Sequence, residues 1–281
     1  MCGRMTLTKS GSEIAEYFAL AMAEEAVKEM DGTSLRPRYN IAPSQSVATI
    51  QHGRDGVSGL HWKQWGLVPS WSKDPRMGGR LFNARSETAA EKPSFRAAWK
   101  RRRCLVVADG FYEWTPRARD HQPYHFSRGD GSLLAFAGLY EDWHGEGGEL
   151  IESCTVLTTA ANADLEGVHH RMPVILVAEN FGAWLGEGAD PEALKALMQP
   201  APSATLTKKA VGRVVNSPRN DDPSCLLPAS AIGESDAVET SRERTGDLLK
   251  VDKGMDLEMD PDREDVSGQG ELFGSGPEVL K

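Results

Sequence analysis

The chain has 281 residues, 40% of them hydrophobic, and a formal net charge of −9. That length holds one large domain with a tail, or two small domains, and no apolar run is long enough to cross a bilayer. Residues 234–281 carry 14 Asp/Glu against six Lys/Arg, leaving 27 acidic and 26 basic residues in 1–233, so the body is close to neutral and acidity alone says nothing against an anionic partner.

The N-terminus reads Met1-Cys2-Gly3-Arg4. A small second residue permits loss of Met1, which leaves Cys2 with a free α-amine beside its thiol. Such a 1,2-aminothiol condenses with an aldehyde through nitrogen and closes a five-membered thiazolidine through sulfur on the same carbon. With an α-amino pKa of about 7.7–8.0, roughly a quarter to two-fifths of the amine is neutral near pH ~7.5. Lys9, Ser10 and Glu13 interrupt any secretory pattern, so a cytoplasmic location is expected, nucleoid-associated when the protein is on DNA.

Residues 10–30 have helical periodicity (Ile14, Tyr17, Phe18, Ala21, Met22), and Ser10 with Glu13 fits a capping box. Residues 34–46, with Pro37 and Pro43, read as irregular. Val47–Gln51 reads as a strand, and Trp62–Trp71 as a strand running into a loop. Further strands are predicted at Arg103–Ala108, Phe111–Thr115, Tyr124–Phe126, Leu133–Tyr140, Ser153–Thr159, Val174–Val177 and Thr205–Val215. Short helices fit Ser86–Trp99, broken near Pro93, then Asn162–Val168, Glu179–Leu185 and Pro191–Met198, the last with Asp190 as N-cap. Strands and helices do not alternate, which argues against a doubly wound parallel sheet. The expected fold class is α+β, with a mainly antiparallel, curled or barrel-like sheet and flanking short helices. The domain is expected to span 2–233, with 234–281 an acidic, disordered tail.

Lys100–Arg103, with Arg80, Arg85 and Arg96, forms a basic cluster that permits nucleic-acid binding without demanding it. The four cysteines, Cys2, Cys104, Cys154 and Cys225, show no CxxC or zinc spacing. Cys104 and Cys154 lie in strand-like runs and read as reduced core thiols.

Three segments align polar groups on strand faces. Asn83 shares a face with Arg85, Glu113 lies among Phe111, Tyr112 and Trp114, and His169 shares a face with Arg171. Each alone has an ordinary structural explanation. Together with Met1–Arg4, Asn40-Ile-Ala-Pro43, Trp65-Gly-Leu-Val-Pro-Ser-Trp71 and His169-His-Arg-Met-Pro173, they form an ordered series over residues 2–230 that resembles the SRAP (SOS-response-associated peptidase) family. That family is associated with abasic-site processing.

The resemblance implies covalent capture of abasic sites in single-stranded DNA through Cys2 after Met1 loss, protecting the lesion during replication or repair. It implies an enzyme whose removal of Met1 is peptidase-like. Catalytic roles fall on Cys2, Asn83, Glu113 and His169. Glu113 is the expected acid/base, its pKa raised by aromatic neighbours, and His169 the proton donor and acceptor for sugar opening. Arg4, Arg85 and Arg171 are candidates for phosphate contacts, and Trp71, Pro43 and Asn40 for further DNA contacts. No metal or cofactor is expected, because an aldehyde needs no Lewis acid. The rival functions are a thiol peptidase of the N-terminal-nucleophile type, using Cys2, Glu113 and His169, and a non-catalytic single-strand binder. Gln269-Gly-Glu-Leu272-Phe273 resembles peptides that dock on sliding clamps, and a monomer is expected.

Overall fold

The computed structural model describes residues 2–19, 36–53, 58–117, 120–186 and 188–231. The tail expected to be disordered, with Gln269, Leu272 and Phe273, lies outside the described residues, as does most of the expected 10–30 helix beyond Ala19.

Thirteen strands are seen among the described residues: β1 Met5–Leu7, β2 Arg38–Ile41, β3 Ser46–His52, β4 Ser58–Trp65, β5 Asn83–Arg85, β6 Arg103–Ala108, β7 Gly110–Trp114, β8 Pro123–Ser127, β9 Leu134–His144, β10 Leu150–Ala160, β11 Arg171–Pro173, β12 Ile175–Leu176 and β13 Thr207–Ala210. They form two sheets. In the larger, β4 pairs with β3, β3 with β6, β6 with β9, β9 with β10, and β10 returns to β4, so five strands close a barrel. Every step of the ring is antiparallel except β10–β4, which is parallel. The smaller sheet runs β13-β8-β7-β1-β2, all antiparallel. The class is α+β, built on mainly antiparallel sheets.

β10 is the seam. One edge pairs with β4 and then β5, and the opposite edge with β9 and then β11. Eleven residues long, it carries its last turn beyond the barrel and presents β5 and β11 there. At the barrel wall β9 passes so close to β6 and β10 that a Cβ on Gly138 would stand 2.9 Å from Cys104 Sγ and 3.1 Å from Thr155 O. A side chain there has no room, so glycine is required.

Among the described residues the helices are short: α1 Gly11–Tyr17, α2 Ser86–Ala89, α3 Arg96–Arg101, α4 Phe181–Leu185 and α5 Pro191–Ala196. α1 has both halves of the Ser10–Glu13 capping box, and Asp190 caps α5. Several expectations are corrected. The irregular 34–46 segment contains β2, because β1 and Asp221 supply partners for its backbone: Asp221 accepts from Tyr39 N at 2.6 Å and Asn40 N at 2.9 Å. Asn162–Val168 holds only a 3-10 turn at Ala163–Leu165. Thr205–Val215 divides into β13 and a 3-10 turn at Arg213–Asn216. The basic run is not one face. Arg103 is buried and donates to Trp99 O, Lys100 O, Trp184 O and Gly186 O, tying α3 and α4 to β6, while Arg102 pairs with Glu141. Local charge counting cannot see that these donors are consumed by helix-end carbonyls.

Candidate active site

Cys2 precedes β1 and is fully buried. Asn83, the first residue of β5, donates from Nδ2 to Cys2 O at 2.6 Å and so fixes the N-terminal backbone. The Oδ1 of Asn83 is buried and finds no hydrogen-bond partner among the described residues. A buried acceptor left open costs free energy and is a ready place for an incoming donor.

Glu113 reaches the same corner from β7. Its strand is buried because Phe111 stacks on Phe126 at 5.3 Å and packs edge-on against Phe136 at 5.9 Å, which leaves Glu113 only 4% exposed. Burial pushes its carboxyl up to about 7, and the positive charge at the chain's N-terminus partly opposes that rise. Burial, followed by the proximity of Glu113, pushes the Cys2 thiol well above the usual thiol range. The sulfur is therefore protonated at neutral pH.

His169 stands just before β11, with Nδ1 at 4.0 Å from Glu113 Oε1. Burial lowers it to about 4, so the imidazole is neutral at pH 7 and the contact is not an ion pair. The physical cause is that the surrounding protein removes water from the ring, which disfavours the imidazolium. Nδ1 faces the Arg171 backbone, 3.0 Å from its N–H donor and 3.2 Å from its carbonyl oxygen, so it accepts from the one or donates to the other according to the tautomer. The ring stacks on His170 at 4.6 Å. Beside it a cleft of about 570 Å³ is lined by Trp114, Pro116, Gly167, Val168, His169 and His170.

Cys2, Asn83, Glu113 and His169 thus arrive from four separated parts of the chain and meet at one corner. Arg4 borders it. Its Nη1 donates to Asn40 Oδ1 and to Val215 O, both at 2.6 Å, and its guanidinium lies 5.6 Å from the Trp114 ring centre. Asn40 is buried and spends Nδ2 on Val215 O, Ser217 O and Asn220 O, so it braces Arg4 from inside the protein. Arg85 is exposed at the end of β5. Arg171 forks onto Glu87. Trp71 is 56% exposed and its Nε1 donates to Pro93 O at 3.4 Å; Pro43 lies in the turn before β3. Among the described residues, no hydrogen bond or ring contact ties Trp71 or Pro43 to the Cys2 corner.

Sequence reasoning passed over Trp114, the residue after Glu113. Its alternation places it on the opposite strand face, where Arg4, His121 and the cleft meet it. It also passed over Asp221, whose role depends on a segment 180 residues from its partners.

The fold and the sequence both have known counterparts. A solved protein from Bacteroides thetaiotaomicron superposes with a TM-score of 0.72 at 23% identity, covering 81% of this chain and all of the other. One from Bordetella bronchiseptica gives 0.62 at 28% identity, covering 75% of this chain and all of its own. The abasic site processing protein YoqW of Bacillus subtilis is 39% identical over 231 residues, covering 80% of this chain and 99% of that protein. The abasic site processing protein HMCES of Gallus gallus is 35% identical over 255 residues, covering 78% and 75%. With a family model matching residues 1–218, which contain every element of the Cys2 corner, the chain belongs to the SOS response associated peptidase (SRAP) family.

Proposed function

We propose that this protein processes abasic sites in single-stranded DNA by forming a covalent thiazolidine link through Cys2 once Met1 has been removed. The observation that carries it is the buried corner in which Cys2, a carboxyl at about 7 and a neutral imidazole lie together beside an open cleft. The names of the curated relatives support the substrate class.

The steps follow from the protonation states. The ring-opened deoxyribose presents an aldehyde. The Cys2 amine adds to it, and loss of water gives an imine. The thiol is protonated as it stands, so the amine attacks first and the sulfur needs a base. Glu113, near half-ionised at pH 7, takes the thiol proton, and sulfur adds to the imine carbon. Aldehyde and aminothiol give thiazolidine and one water. Ring closure removes the iminium that would acidify the neighbouring C–H, so the 3′ phosphate stays attached. His169, a neutral imidazole, exchanges a proton with the sugar oxygen during opening. Asn83 holds the Cys2 backbone and offers Oδ1 to the new amine. Arg4, Arg85 and Arg171 meet phosphates, Trp71 and Pro43 contact bases, and Asn40 acts by bracing Arg4. A thiol held so firmly protonated disfavours a thiolate peptidase acting in trans.

Intact-mass spectrometry before and after mixing with a single-stranded abasic oligonucleotide tests this. The expected result is loss of Met1, then a mass gain equal to the oligonucleotide less one water. No adduct would overturn the proposal. The tail peptide Gln269–Phe273 is proposed to dock on a sliding clamp. Binding should be lost on Leu272→Ala with Phe273→Ala, and failure of the intact tail to bind ends that idea.

A further inference from the structure

At the far end of β10 an anion already occupies a phosphate fork. Arg85 on β5 lies opposite Thr158, and Arg171 on β11 opposite Ala160, so the two cations flank the same strand end from opposite edges. Between them in sequence comes Glu87, in α2, whose carboxyl is held below its usual range by Arg171 first and also by the charge of Arg85. Its two carboxylate oxygens accept from Arg171 Nη1 at 2.6 Å and Nη2 at 2.8 Å. The pair is asymmetric. The Arg171 side chain is 13% exposed and also donates from Nη2 to Thr158 O at 2.6 Å, so it is fixed. The Glu87 side chain is 51% exposed, and beside it runs a cleft of about 460 Å³ lined in part by Ser86, Thr159 and Lys195. A carboxylate and a phosphodiester offer the same two-oxygen face to a guanidinium, so one can replace the other without moving the arginine.

We propose that Glu87 is an internal stand-in for a backbone phosphate, filling the Arg171 fork in the free protein and displaced by the phosphodiester of an incoming single strand. It sets a threshold on binding. A strand must outcompete Glu87 before it holds Arg171, so undamaged DNA held by phosphates alone is weakened, while a strand captured covalently at Cys2 is retained. This rests on the proposed role of Arg171 as a phosphate contact.

The test is fluorescence anisotropy with an undamaged oligothymidine over a salt series. Glu87→Gln should bind about fivefold tighter at low salt, the scale of one partly exposed ion pair. Its log–log salt slope should be steeper by up to about 0.7, because no internal anion is released when the phosphate binds. Glu87→Asp keeps the charge but is one methylene too short for the fork, and should gain affinity over wild type with a smaller change in slope than Glu87→Gln. In an Arg171→Gln background, Glu87→Gln should change nothing. Unchanged affinity in Glu87→Gln, wild-type behaviour in Glu87→Asp, or an equal gain in the Arg171→Gln background would each overturn the inference. If the wild type binds the strand and captures an abasic oligonucleotide while these variants fail, this inference falls alone. If the wild type does neither, the parent function falls with it.

Discussion

Two buried corners of this molecule hold a carboxylate, an imidazole and a small hydroxyl or thiol side chain, and they are built differently. In the first, Asp109 accepts from Thr6 Oγ1, Thr8 N and Thr8 Oγ1 at 2.5, 2.6 and 2.5 Å, while His125 Nε2 lies 3.2 Å from Thr6 Oγ1. The Thr6 hydroxyl donates its one hydrogen bond to Asp109, so it accepts from His125 Nε2, and the chain of bonds closes. Gly110 makes the approach possible: a Cβ there would stand 2.1 Å from His125 Nε2. In the second corner Glu113 sits 4.0 Å from His169, Asn83 keeps an open acceptor, and burial holds the carboxyl near 7. Both imidazoles are pushed down to about 4 by burial. The same residue types therefore make a structural lock where hydrogen bonds saturate the carboxylate, and a perturbed carboxyl where burial dominates, the corner proposed for proton transfer.

Substitutions separate the two. The largest effect is expected from Cys2→Ala, which should abolish the covalent adduct in intact-mass assays while single-strand binding remains. A persistent adduct would remove Cys2 from the chemistry. Glu113→Gln should slow capture by about a hundredfold or more, the usual scale for one general acid/base, with the fold intact. Asp109→Asn should do the reverse, costing about 1–3 kcal/mol in urea unfolding through disrupted bonds to the threonines, with capture per folded molecule preserved. If Asp109→Asn instead stopped capture at full stability, the division between lock and site would be wrong.

A subtler contrast lies in pH. Glu113 has its folded value raised from 4.5 to about 7, so its contribution to stability is fully present below about 4.5 and is lost as pH rises through about 7. The shift corresponds to a loss of up to roughly 3 kcal/mol. His125 and His169 run the other way. Their folded values are depressed from 6.5 to about 4, so their contribution is present above 6.5 and lost as pH falls toward 4. Thermal melts of Glu113→Gln should therefore show a gain over wild type at pH 8 that vanishes at pH 4.5. Equal shifts at both would mean the carboxyl is not perturbed. The smallest effect is expected for Arg85→Ala, which should flatten the salt dependence of single-strand binding by about 0.7 in log–log slope. An unchanged slope would make Arg85 structural.

Much of the fold was legible because its signals are local. The Ser10–Glu13 box, Asp190 before Pro191 and the continuously buried apolar runs of β3, β6, β9 and β10 each depend on neighbours within a few residues. β2 was not legible, since its backbone partners are β1 and Asp221, far along the chain. Nor was the fate of Arg103, whose charge looks available for DNA until α4 folds over it.

The site divides in the same way. The sequence by itself determined which groups are candidates: a cysteine directly after the first methionine, and an ordered series of Asn83, Glu113 and His169. Only the tertiary structure decided that they meet, that at pH 7 the Cys2 thiol is protonated, Glu113 near half-ionised and His169 neutral, and that Asn40 faces inward to brace Arg4. The reason is physical. Residue type fixes which bonds a group can make, but its protonation and its partners depend on how much water is excluded around it, and that is set by strands drawn from every part of the chain.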